Sequence, residues 1–183
     1  LQVEEGAALF GWWEAAGYDL PVLEVGALRP GDLDPYRLVV FLDPGAVSDG
    51  LAELLLRYVQ GGGHLLNLCG RGERDGEWGL ASAAAKTLFA GGTPWHTSRR
   101  APWRPLRIQL ATQDLRGPLA VGPVLTTYKL EAGVEPLAYA RGRLGFKGEP
   151  AGWIAPRGAG WFAHLGASPA ELFRTGAYYT APQ

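Results

Sequence analysis

The stretch that most constrains the fold is RLVVFLD at 37–43, followed by a helical pattern and then, past three glycines, by HLLNL at 64–68. RLVVFLD is continuously apolar and rich in β-branched residues. That suits a strand covered on both faces, as in a parallel sheet. Ser48 or Asp49 can cap the helix that follows. Leu51, Ala52, Leu55, Leu56 and Val59 recur at helical spacing and form its buried stripe. The glycines at 61–63 end it, and HLLNL is the next buried strand. Short connections between strand, helix and strand imply parallel pairing with right-handed crossovers.

Around this unit the first half alternates helix and strand. Residues 2–16 place Val3, Ala7, Phe10 and Trp13 at helical spacing, and Gly17 is a natural stop. DLPVLEV at 19–25 reads as a short strand. RPGDLDPY at 29–36 reads as a loop, because Pro30, Gly31 and Pro35 break both regular structures. GLASAAAKTLFA at 79–90 reads as another helix. The second half changes character. LRIQLA, VLTTYKL, EPLAYA, PAGWIAPR and GWFAHLGA are short strands between Gly/Pro turns, in antiparallel or mixed pairing, and 141–150 reads as a hairpin-like connection. SPAELF at 168–173 carries a capping box, with Ser168, Pro169 and Glu171 at N-cap, N1 and N3.

The expected class is therefore α/β, with a parallel first half and a mixed or antiparallel second half. At 183 residues, one domain over 1–183 is expected. A doubly wound domain normally opens on a strand, whereas this chain opens on a helix. The expectation is that a leading strand is missing and that the chain is part of a longer polypeptide, to which the absence of methionine is suited.

Composition excludes several classes of function. A net charge of −1 leaves no electrostatic footprint for nucleic acid. The nearest thing to a basic patch, HTSRRAPWRPLR at 96–107, reads as an irregular solvated or partner-facing loop. No apolar run approaches the ~20 residues that cross a bilayer, and no signal peptide is visible. A cytoplasmic protein that does not engage membranes is expected. One cysteine excludes an internal disulfide and a multi-cysteine zinc site. The three histidines, His64, His96 and His164, are scattered and make no metal site, and no cofactor is implied.

YRLVVFLDPGAVSDGLAELLLRYVQGGGHLLNLCGRGERD (36–75) and EPLAYARGRLGFKGEPAGWIAPRGAGWFAHLGASP (135–169) carry a resemblance that covers nearly the whole chain. They resemble the glutamine-amidotransferase-like, trimerisation-type domain of bacterial β-galactosidases. The shared pattern is a strand after Tyr, a Pro-containing loop, a helix ending in YV-x-x-GG and a second strand. It closes with an apolar strand, G-x-PA, RG-x-G at a hairpin and LG-x-x-P. The resemblance implies a flavodoxin-like, class I amidotransferase-like sheet. It also implies a parent glycoside hydrolase whose two catalytic carboxylates sit on a separate TIM barrel. The domain itself is then non-catalytic, contributes to a homo-oligomer, and can border a neighbour's sugar site.

Two groups of residues are candidate sites. Glutamine-hydrolysing amidotransferases place a nucleophilic cysteine at a strand-to-helix elbow with spacing G-x-C-x-G. Cys69 stands near such an elbow, but Asn67 and Arg71 occupy the positions of the small residues. His164 is the late-strand histidine of that pattern, and Gly166 stands where the orienting glutamate belongs. The expectation is a small buried thiol with a core or pocket histidine. The alternative is a stand-alone hydrolase using Cys69 and His164. The second group is the loop GRGERDGEW at 70–78, which leaves the carboxyl end of a strand, where ligands of open parallel sheets bind. Arg71, Asp75 and Glu77 can hydrogen-bond sugar hydroxyls and Trp78 can stack on a sugar face; Glu73 and Arg74 flank them. A solvated charged loop and a sugar-binding module both remain open there. Trp12, Trp13, Trp95 and Trp103 read equally as interface or core residues, and Trp153 and Trp161 as core.

Overall fold

The computed structural model describes residues 11, 13–42, 47–68, 82–99, 106–112, 118–122, 124–141 and 147–167. Their elements are β1 (Leu38–Leu42), α1 (Asp49–Gln60), β2 (His64–Leu68), α2 (Ala83–Phe89), β3 (Gly92–Arg99), β4 (Leu106–Leu110), β5 (Leu119–Val121), β6 (Val124–Leu130), β7 (Glu135–Arg141), β8 (Lys147–Arg157) and β9 (Gly160–Leu165). One sheet runs β1-β2-β9-β8-β7-β4-β5, and β3 and β6 form a two-stranded ribbon.

The class is mixed α/β. β1 pairs parallel with β2, and β2 parallel with β9. Every other pairing in the sheet, β9–β8, β8–β7, β7–β4 and β4–β5, is antiparallel. The third parallel strand thus comes from the end of the chain. It does not come from the segment after α2, which leaves the sheet to build the ribbon.

α1 forms where the sequence places it. Ser48 accepts from the Leu51 backbone N–H at 3.3 Å, and the Gly61 N–H closes the last turn on Arg57 O. Gly62, with φ +110°, then turns the chain into β2 in a conformation that suits glycine alone. α2 begins later than its sequence pattern suggests, because Ser82 takes the N-cap and accepts from Ala85 N at 3.1 Å. Arg157 donates to the Leu88 and Ala90 carbonyls at the far end of α2, where orphan C=O groups need donors.

Two corrections concern strands. Residues 19–24 are not a strand, and Val25–Ala27 is a single 3-10 turn. Val22 is 74% exposed, and no strand lies beside the segment among the described residues, so its β-branched side chains have no ladder to join. Conversely, residues 96–99 of the arginine-rich stretch are not irregular: they complete β3, which pairs antiparallel with β6. The register shifts between Pro94 and His96, and that bulge accommodates a proline within an edge strand.

Period-two alternation divides the core between the sheet's faces. Phe41, Leu65 and Phe162 join Leu51, Leu55, Val59, Ala85 and Leu88 of the helices in one cluster. Leu68, Ile108, Val121, Leu125 and Leu165 form the other, against which Trp13 packs. At the edge of the first cluster, Tyr58 Oη donates to Tyr36 O at 2.9 Å. Burial raises the Tyr58 pKa above the usual tyrosine value. The folded phenol therefore keeps its proton to higher pH than the unfolded one. Its contribution to stability is complete below about pH 10 and is lost as pH rises past that value. The urea midpoint is expected to fall more steeply above about pH 10 in the unsubstituted chain than in Tyr58→Phe.

Candidate functional site

Asn67 on β2 and His164 on β9 face each other across the parallel pair β2–β9, in direct register. By alternation both point to the helix side of the sheet, Asn67 on the face of Leu65 and His164 on that of Phe162. Asn67 Nδ2 lies 2.8 Å from His164 Nδ1, and Tyr128 Oη on β6 lies 2.7 Å from His164 Nε2. The amide nitrogen donates, so Nδ1 accepts and the ring proton sits on Nε2, directed at Tyr128 Oη. If the amide is turned, Nδ1–H donates to Oδ1 and Tyr128 donates to Nε2. Both ring nitrogens are engaged in either arrangement. His164 is 3% exposed, and the Tyr128 ring meets its ring edge-on at 5.2 Å. The trio ties β2, β9 and the ribbon strand β6 together. Thr126 N reinforces the tie by donating to Gly166 O at 2.8 Å.

In this arrangement both His164 ring nitrogens are taken up by polar side chains. A base that activates a thiol needs one ring nitrogen facing the nucleophile and the other held by an acid or carbonyl. Here one nitrogen meets an amide and the other a phenol. Cys69, the other half of the expected pair, lies outside the described residues, as do Arg71, Asp75, Glu77 and Trp78 of the loop. Sequence reasoning passed over Tyr128 and treated Asn67 only as a departure from G-x-C-x-G. The available signal was a lone amide inside the apolar strand HLLNL, since a buried amide needs a partner.

Beside His164 a cleft of about 250 Å³ opens between α2 and the ribbon, lined by Lys86, Phe89, Gly92, Pro94, Tyr128, Glu131 and Trp153 among others. Trp153 is 3% exposed and lies 5.5 Å from the His164 ring. Its core assignment holds. Trp161 is half-buried and stacks on His64 at 4.6 Å. Trp95 is 57% exposed, with Lys129 Nζ 3.1 Å from its ring centre. A larger open cleft of about 910 Å³ lies between the 28–37 loop and α1, at the amino ends of β1 and β2. Among the described residues no group of three or more metal-ligating side chains gathers, and no helix is long and apolar enough to cross a membrane.

Neither a family model nor a curated protein matches the sequence. Solved structures do match. The β-galactosidase from Bacillus circulans sp. alkalophilus is similar with a TM-score of 0.70 at 20% identity, over 96% of this chain and 26% of that one. The cold-adapted β-galactosidase from Rahnella sp. R3 is similar with a TM-score of 0.67 at 18% identity, over 98% of this chain and 27% of that one. A cytoplasmic protein from Salmonella typhimurium is similar with a TM-score of 0.64 at 10% identity, over 96% of this chain and 87% of that one. The chain thus spans about a quarter of the length of the two β-galactosidases and most of the Salmonella protein. At these identities the likeness is one of fold.

Proposed function

We propose that the chain is a non-catalytic domain of a β-galactosidase-like glycoside hydrolase, working in the cytoplasm, in which a separate TIM barrel cleaves the glycoside and this domain contributes to homo-oligomer contacts. The observation that carries the reading is the coverage: nearly all of this chain matches about a quarter of each β-galactosidase. The engagement of both His164 nitrogens by Asn67 and Tyr128 supports the non-catalytic part, because an imidazole held in this way is a poor base for a nucleophile. On this reading the parallel group belongs to a flavodoxin-like, amidotransferase-like sheet whose leading strand joins the outer edge of β1. That strand has one hydrogen-bonded neighbour among the described residues, and its Leu38 is exposed. A carbohydrate at the 70–78 loop, bordering a neighbour's sugar site, belongs to the same reading.

The purified chain is expected to leave a chromogenic β-galactoside intact, and the full reading frame that contains it is expected to hydrolyse it. Hydrolysis by the chain alone, abolished in Cys69→Ser, overturns the proposal. Sedimentation of the full protein tests the oligomer: a monomer at micromolar concentration removes that part. A second reading, a stand-alone protein, is favoured by the 87% coverage of the Salmonella chain. It requires a reading frame little longer than these residues.

A further inference from the structure

We draw no further inference here: the strongest candidate, the apolar surface stretch at 18–25 ahead of β1, where Tyr18, Val22, Leu23 and Val25 are exposed, carries no proposal because nothing in the structure shows what covers it.

Discussion

Gly160→Ala is expected to destabilise the fold by about 3 kcal/mol or more, a large part of a typical domain stability of about 5–15 kcal/mol. A Cβ at this position would fall on the Gly63 carbonyl oxygen and within 2.5 Å of the Val59 carbonyl oxygen. Both atoms are backbone, one in the last turn of α1 and the other in the glycine turn behind it. Neither can rotate away as a side chain tip could. Relief requires α1 to lift from the start of β9, and that strips burial from Val59 and Phe162, both 0% exposed. Gly50→Ala is the control with the opposite sign. It lies within α1 and a Cβ there meets nothing within 4 Å, so alanine is expected to add about 0.5–1 kcal/mol of stability. Urea denaturation of the two variants checks both signs. A neutral Gly160→Ala would show that α1 and β9 are not held in close contact.

His164→Leu is expected to cost about 3 kcal/mol. The imidazole leaves behind the Asn67 amide, already unpaired at Oδ1, without its one hydrogen bond, and deprives the Tyr128 hydroxyl of its nearest partner. Each buried polar group left unpaired costs about 1–3 kcal/mol. Asn67→Leu is milder, since it removes the unpaired oxygen along with the donor. The double substitution is expected to be less destabilised than the sum of the singles by about 1 kcal/mol, because two leucines of suitable volume can face each other where two polar groups did. Additive singles would mean that the contact carries no coupling.

The local elements were largely legible. The Ser48 cap, the triple glycine, and the strands around Val39, Leu65, Tyr139 and Phe162 follow from patterns that depend on a few neighbouring residues. The failures share a cause: strands are completed by partners the local sequence does not name. Val22 and Leu23 have β-propensity but no neighbour, so they form no strand. Thr93 to Arg99 contain a proline and border charge, yet β6 supplies a ladder and a bulge absorbs Pro94. The candidate site shows the same limit. His164 was legible as a late-strand histidine, but its partners come from residue 67 and residue 128, and only tertiary structure brings them to it. Cys69 and the residues of the 70–78 loop fall outside the described residues.

The position of β9 carries a consequence for biogenesis. It is hydrogen-bonded on one side to β2 and on the other to β8, so among the described residues the early parallel strands join the later antiparallel ones in the sheet through it. A nascent chain emerging from the ribosome can form the unit of β1, α1 and β2 early, yet the middle of its sheet must wait for nearly the last described residues to be synthesised. Until then two exposed strand edges stand ready to pair with the wrong partner. Premature termination before residue 160 would therefore leave two half-sheets without the seam that joins them.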